Sequence, residues 1–372
     1  MTGEVPSLQA QFVVPVHDPA RKLGRAVDSV LSCPEAGVVV VLHNVRRDAF
    51  DLPDDPRVLV VELNEKPGHP GAAFNAGLAR VTAPWAGIMG SDDWFEDGSV
   101  RAMLDLARRD RADGVIVPLR HPGSKRNSVK PVTWRRSGLR AASDRLFSRT
   151  APLGLFRSSV LCSPRYRFAE HVKAGVDQLS GVRLWTDGWR ISHHPLDPAY
   201  VVGDDALERV TLAPRSVSCQ GAMWREVWHD SGVLELEDRD RRELGAKIIR
   251  VHVFDWIKRH PEPEDWFDGD FEWLASTIQL ILRRAPGCLR SFSRAERNVV
   301  ESLVSGDQTQ TVAGVASLPP VHARWPQDLR GLAEPASGPR LAIALLASSL
   351  RERAALTLSM FGSHSLRAKT RR

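Results

Sequence analysis

The run Gly87-Ile88-Met89-Gly90-Ser91-Asp92-Asp93-Trp94-Phe95 carries an apolar stretch straight into two adjacent carboxylates, followed by two aromatic rings. Two like charges at the mouth of a core need a cation or hydrogen-bond donors to offset their desolvation. Hard carboxylate oxygens select Mg²⁺ or Mn²⁺, and such an ion keeps part of its shell for substrate phosphate oxygens. The competing reading is an N-cap, in which Asp92 or Asp93 caps a helix near Phe95–Arg108. Spacing alone leaves both open. Two further polar pairs close apolar runs in the same way. His17-Asp18 follows "QFVVPV", and His43-Asn44 ends "GVVVVLH".

Groups of this kind work only if the elements around them bring them together. "QFVVPV" (Gln11–Val16), "GVVVVLH" (Gly37–His43), "RVLVVEL" (Arg57–Leu63), "WAGIMG" (Trp85–Gly90) and "DGVIVPL" (Asp113–Leu119) read as strands. The near-continuous apolar runs are those of strands covered on both faces. Between them, "ARKLGRAVDSVLSC" sets Leu23, Ala26, Val27, Val30 and Leu31 on one helical stripe. "GAAFNAGLARV" and "SVRAMLDLARRD" are helical as well. Strands alternating with helices predict an α/β fold with a mainly parallel sheet. Ligands of such sheets gather outside the carboxyl ends of the strands. His17-Asp18, His43-Asn44 and Ser91-Asp92-Asp93 are therefore expected on one crevice.

Taken together, "FVVPVHDPARKLGRAVDSVLS", "VVVVLHN", "GAAFNAGLARVTAPWAGIMGSDDWFEDGSV" and "GVDQLSGVRLWTDGWRI" resemble the family 2 glycosyltransferases of GT-A fold, over about residues 10–215. The resemblance implies that Ser91-Asp92-Asp93 is a D-x-D-type nucleotide-sugar motif. Asp92 would contact ribose, and Asp93 would bind the metal that bridges the donor diphosphate. It likewise assigns Pro15, Val16, His17 and Asp18 to the nucleotide base, with His43, Asn44, Asn75 and Ser91 beside them. The family often has an acid two places before Asp92, where Gly90 stands. It usually has Asp-Asp at His43-Asn44 and Arg-Asn at Phe74-Asn75.

The same resemblance places the catalytic base at Val176-Asp177, keeping the Asp of a Glu-Asp pair, with Glu170 in reserve. A first-turn helix acid favoured by the macrodipole is the plainer reading of Asp177. Asp205, in "YVVGDDALERVT", falls where a family histidine approaches the metal, so a carboxylate there would make good the acid missing at Gly90. The implied activity is a metal-dependent, inverting transfer of a sugar from a nucleoside diphosphate, UDP first, using Mg²⁺ or Mn²⁺. The acceptor would be a hydroxyl of a cell-surface glycan, a lipid-linked precursor or a small-molecule secondary metabolite. The departures at Gly90, His43 and Phe74 equally suit a degenerate relative that binds a glycan or a partner protein.

The polar stretch His121–Arg149 reads either as a solvated excursion or as a loop whose Lys125, Arg126, Arg135 and Arg136 meet donor or acceptor phosphates. His193-His194 looks like a metal pair, but adjacent residues at a strand end point to opposite faces. From about residue 229 onward the pattern turns helical, which divides the chain into a GT-A domain, 1–228, and a helical region, 229–372.

The chain has 372 residues, 42% hydrophobic and 26% charged, with a net charge of +6. That balance is ordinary for a globular protein and suits anionic ligands, while no nucleic-acid-binding signature is present. Four scattered cysteines without a C-x-x-C pair, and no signal-peptide pattern, give a cytoplasmic reading. The apolar "LAIALLASSL" and the basic tail after it permit peripheral attachment at the inner face of a membrane, and a homo-oligomer is equally open.

Overall fold

The computed structural model describes residues 7–66, 68–124, 135–204, 215–320 and 324–327, with 329–335, 337, 342–343 and 346. The first part runs β1 (Ala10–Val16), α1 (Leu23–Leu31), β2 (Ala36–His43), β3 (Val58–Leu63), α2 (Pro70–Leu78), β4 (Trp85–Ile88), β5 (Trp94–Phe95), α3 (Ser99–Asp110), β6 (Gly114–Ile116) and β7 (Leu119–Arg120). It continues through β8 (Gly154–Arg157), α4 (Ser158–Leu161), α5 (Gln178–Thr186), β9 (Ile191–Ser192) and β10 (Tyr200–Val201). Helices follow: α6 (Val217–Val227), α7 (Ser231–Leu234), α8 (Asp238–Lys247), α9 (Phe254–Arg259), α10 (Asp270–Arg284), α11 (Arg294–Ser305) and α12 (Gln308–Ala316).

The main sheet has the order β3-β2-β1-β4-β8-β6-β9. The valine runs of β1 and β2 lie at its centre, in parallel register with Val13 opposite Val39, and every residue of β2 is buried. β4 continues the parallel pairing on the other side of β1, with Phe12 opposite Gly87. The sheet is thus mainly parallel, with one exception. β8 runs antiparallel to both β4 and β6. β3 differs from the reading of its sequence: it is an edge strand, none of its residues is fully buried, and Leu59 is 42% exposed.

A small second sheet, β5-β10-β7, sets Tyr200 of β10 opposite Phe95 of β5. Its importance is positional, because it lays β10 beneath the loop that follows β4. α3 begins after Gly98, which occupies its N-cap position. Neither Asp92 nor Asp93 caps that helix, so the N-cap reading of the acid pair is overturned.

Helices cover both faces of the sheet. α1 and α3 bury Leu23, Val27, Val30, Met103 and Leu104 against one face. On the other face the core that includes Val13, Val41 and Ile116 runs on without a break through Trp185 and Trp224 to Ile278 and Leu303. The helical part from residue 229 onward therefore shares its core with the sheet. Between α8 and α9 lies a π-helical turn, Ile248–Val253. No described helix is long and apolar enough to cross a membrane. The segment "LAIALLASSL" and the basic tail fall almost wholly outside the described residues.

Candidate functional site

A cleft of about 760 Å³ opens at the carboxyl ends of β1, β2 and β4. Pro15, Val16 and His17 line it from β1, His43 and Asn44 from β2, and Gly90, Ser91, Asp92 and Asp93 from the loop after β4. The three polar strand ends thus converge as parallel topology requires. Three cations face the same space: Arg21, Lys173 and Arg215. Phe74 and Ala73 of α2 supply an apolar wall, and Val202 and Gly203 close the side next to β10.

The two acids are held differently. The Asp92 carboxylate receives Arg21 Nη1 at 2.7 Å, with the arginine side chain only 7% exposed. The backbone carbonyl of Asp92 accepts from Arg25, whose guanidinium lies 3.9 Å from the ring centre of Trp94. Asp93 Oδ1 accepts the backbone N–H of Gly203 at 2.8 Å, and its Oδ2 accepts the hydroxyl of buried Tyr200. The Tyr200 oxygen in turn accepts the N–H of Gly90 at 2.9 Å. Burial first, and the Asp93 charge second, push the Tyr200 phenol well above its ordinary range, so it stays a donor.

This arrangement accounts for two glycines. A Cβ on Gly90 would stand 2.5 Å from Asp93 Oδ2, and a Cβ on Gly203 would stand 2.0 Å from the Asp92 carbonyl oxygen. The space an acid at position 90 would need is filled by the Asp93 carboxylate itself. The Asp93 carboxylate supplies oxygens of the hard type that Mg²⁺ or Mn²⁺ selects. Among the described residues no three His, Cys, Asp or Glu side chains form a cation site. Asp205 lies outside the described residues.

His17 stands at the open rim. Its pKa is lowered by partial burial first and by Arg21 second, so the ring is neutral near pH 7 and offers both a donor and an acceptor. His43 is buried, with Nε2 at 3.3 Å from Glu65 Oε2 but not aligned for a hydrogen bond. Asn44 is held with φ of 58°, and its amide exchanges two 2.9 Å hydrogen bonds with the backbone of Glu65. Asp18 Oδ1 accepts from Ala20 N–H at 2.9 Å, which closes the turn after β1 rather than facing the cleft.

Asn75 does not line the cleft. Its buried amide donates to Phe168 O at 2.9 Å and to Glu170 Oε1 at 2.7 Å, and its oxygen accepts Phe168 N–H at 2.9 Å. It latches the 168–170 segment onto α2, where Phe74 and Phe168 stack with ring centres 5.1 Å apart. Glu170 is engaged by this latch and by Arg167. Arg135 and Arg136 are exposed and do not line the cleft, and Lys125 and Arg126 fall outside the described residues. His193 is buried with Nδ1 at 2.9 Å from Ile116 O, whereas His194 pairs with Asp197 at 2.6 Å. The two rings have separate surroundings.

Asp177 is the N-cap residue of α5, but its side chain makes no capping hydrogen bond. It is partly exposed and does not line the cleft. Burial raises its pKa, and the charge of Lys247 opposes that rise. Sequence reasoning missed Arg21 and Tyr200. Arg21 and Tyr200 lie within quoted motifs, yet nothing in their spacing says that they reach the acids.

Residues 12–162 match the family model described as glycosyl transferase family 2. A succinoglycan biosynthesis protein, ExoO of Rhizobium meliloti (strain 1021), is 33% identical over 102 residues, which cover 26% of this chain and 29% of that protein. The chain thus spans less than a third of that curated relative. The solved structure of S. aureus TarS 1–349 in complex with UDP-GlcNAc matches with a TM-score of 0.66 and 15% identity, over 83% of this chain and 91% of that one. The UDP complex of TarS 1–349 matches with a TM-score of 0.63 and 14% identity, over the same shares of the two chains. The fold is the expected GT-A arrangement, with a helical region behind it.

Proposed function

We propose that the chain, whose residues 12–162 match the family model described as glycosyl transferase family 2, is an inverting glycosyltransferase using a nucleoside-diphosphate sugar, with UDP as the nucleotide. The acceptor is a hydroxyl of a glycan, a lipid-linked precursor or a small metabolite. The observation that carries this reading is the convergence of Asp92, Asp93, His17, His43 and Arg21 on one strand-end cleft of about 760 Å³. Support also comes from the nucleotide complexes of the structurally similar TarS.

In this reading the uracil ring enters between Pro15–His17 and the β2 end. His43 Nε2, buried and without a hydrogen-bond partner, is an atom the base can satisfy. The Asp92 carboxylate, with one side taken by Arg21, presents its other side to the ribose hydroxyls. Lys173 and Arg215 face the diphosphate across the cleft.

A divalent cation fits the donor set that is present. Mg²⁺ commonly binds through one or two carboxylates and completes its shell with phosphate oxygens and water. Asp93 would hold it, with Asp205 as the second expected ligand. When bound, the ion neutralises charge on the departing diphosphate. Asp93 is held in place by the Tyr200 hydroxyl and the Gly203 N–H.

Asp177 is the base. As the acceptor oxygen bonds to the anomeric carbon, the bond to the diphosphate oxygen breaks and the acceptor proton passes to the Asp177 carboxylate. A positioned base contributes on the order of 10²- to 10⁴-fold. The described helices after residue 229, whose core is continuous with that behind α5, are the expected wall of the acceptor side. The test is donor hydrolysis and transfer over a panel of nucleotide sugars, with and without Mn²⁺. Turnover that disappears in Asp93→Ala and Asp177→Asn supports the reading. Glycan binding with no affinity for any nucleotide would instead identify a non-catalytic relative.

A further inference from the structure

At the β2 end of the cleft a carboxylate sits between two imidazoles. Glu65, just after β3, accepts from His69 Nδ1 at 3.1 Å and from the His69 backbone N–H at 3.4 Å. Its Oε2 also lies 3.3 Å from His43 Nε2. The backbone around this carboxylate is pinned, because the Asn44 amide exchanges two 2.9 Å hydrogen bonds with the Glu65 main chain. Gly68 packs so closely that a Cβ there would stand 2.8 Å from Asn44 Nδ2 and 3.1 Å from His43 Nε2. The His43 ring, 6% exposed, is thus held between Glu65 and the cleft that it lines.

This contact decides which ring nitrogen carries a hydrogen. An ionised carboxylate accepts and cannot donate. The hydrogen bond from His69, its largest influence, holds the Glu65 carboxyl below its ordinary range, so it is an anion near pH 7. An anion beside a ring nitrogen repels a lone pair and attracts an N–H. His43 Nε2 therefore carries a hydrogen, whether the ring is neutral or charged. The alignment with Glu65 is nonetheless too poor for a hydrogen bond, and His43 Nε2 is buried with no other partner. A buried donor in that position is costly until an acceptor reaches it. An aspartate, which the resembling family usually has here, could only accept.

The sheet order says which part of a nucleotide arrives there. Asp92 follows β4 and His43 ends β2, with β1 between them. Two strand spacings, about 10 Å, suit a nucleoside lying across the end of β1. With ribose on Asp92, the base points its N1 towards β4, and the opposite edge, at C4, meets the wall made by His43. Uracil carries a keto oxygen at C4, an acceptor, whereas cytosine carries an amino group, a donor. We propose that Glu65 is a positioning residue that fixes His43 as an Nε2–H donor to the C4 keto oxygen of the nucleobase, so that this end of the cleft selects uracil over cytosine. The inference rests on the cleft binding a nucleoside diphosphate with ribose at Asp92.

The test is calorimetry of UDP and CDP with Mn²⁺ on wild type, Glu65→Ala and His43→Ala, together with NMR of nitrogen-15-labelled histidine. The His43 signals are assigned by their absence in His43→Ala. Wild type should bind UDP about tenfold or more tightly than CDP, with a hydrogen on His43 Nε2. In Glu65→Ala the ring can move its hydrogen to Nδ1 and accept the cytosine amino group at Nε2. CDP affinity should then rise and the UDP-to-CDP ratio fall towards one, whereas purely structural damage would weaken both nucleotides alike. If Glu65→Ala does not fold, Glu65→Gln, which keeps the shape and removes the charge, should lower the ratio in the same direction. Nucleotide binding with His43 carrying its hydrogen at Nδ1 alone in wild type, or with a ratio that the Glu65 variants leave unmoved, overturns this inference alone. Failure of wild type to bind either nucleotide overturns the proposed function and this inference with it.

Discussion

At the scale of single residues, the informative contrast is between Asp92 and Asp93. Neighbours in sequence, they receive different partners: a guanidinium for Asp92, a phenol and a backbone N–H for Asp93. Hydrogen bonds to charged groups contribute about 1.5–3 kcal/mol. Tyr200→Phe is therefore expected to lower kcat/KM by about tenfold or more while the protein stays folded, as steady-state kinetics and circular dichroism would show. Gly90→Ala should be at least as damaging, because its methyl group would displace the Asp93 carboxylate. His193 gives a prediction about pH. Burial pushes its imidazole down to about 4. The folded protein thus resists a proton that the unfolded chain accepts near 6.5. The associated stability is complete above about pH 6.5 and is lost as pH falls from there towards 4. His193→Gln should flatten that part of a urea-midpoint profile, by up to about 3 kcal/mol.

At the scale of elements, α2 and the 168–170 segment are joined by three hydrogen bonds from one buried side chain, Asn75. Asn75→Ala leaves Phe168 groups unpaired in a buried place, which costs about 1–3 kcal/mol. A lowered urea midpoint with donor affinity retained would support the latch, and an unchanged midpoint would contradict it. The central strands were legible in the sequence because β1 and β2 are buried on both faces and, apart from Gln11 and the terminal His43, carry only apolar residues and glycine. The strand-end acids and histidines were legible for the same reason, since a polar pair stops each run. β8 was not, because "GLFR" is too short for any period to register and its antiparallel insertion is decided by tertiary pairing. Tyr200 lies 107 positions from Asp93, so only the second sheet reveals that it reaches the acid. The π turn escaped notice because it is defined by hydrogen-bond pattern and "IIRVHV" reads as ordinary helix.

At the scale of the whole molecule, the sheet and the helices after residue 228 share one core, from Val13 and Ile116 to Ile278 and Leu303. The boundary suggested by composition is therefore not expected to be a folding boundary. A fragment of residues 1–228 would expose the apolar face under α5 and should lack a cooperative thermal transition; a well-folded fragment would refute this. The central claim, that the strand-end cleft binds a nucleoside-diphosphate sugar through Asp93, is tested most directly by calorimetry of UDP-GlcNAc and UDP with and without Mn²⁺. The account predicts saturable, Mn²⁺-enhanced binding of the UDP moiety to the wild type. It also predicts that the Mn²⁺ enhancement is lost in Asp93→Ala. Absence of nucleotide binding, or binding that Asp93→Ala leaves unchanged, would contradict it.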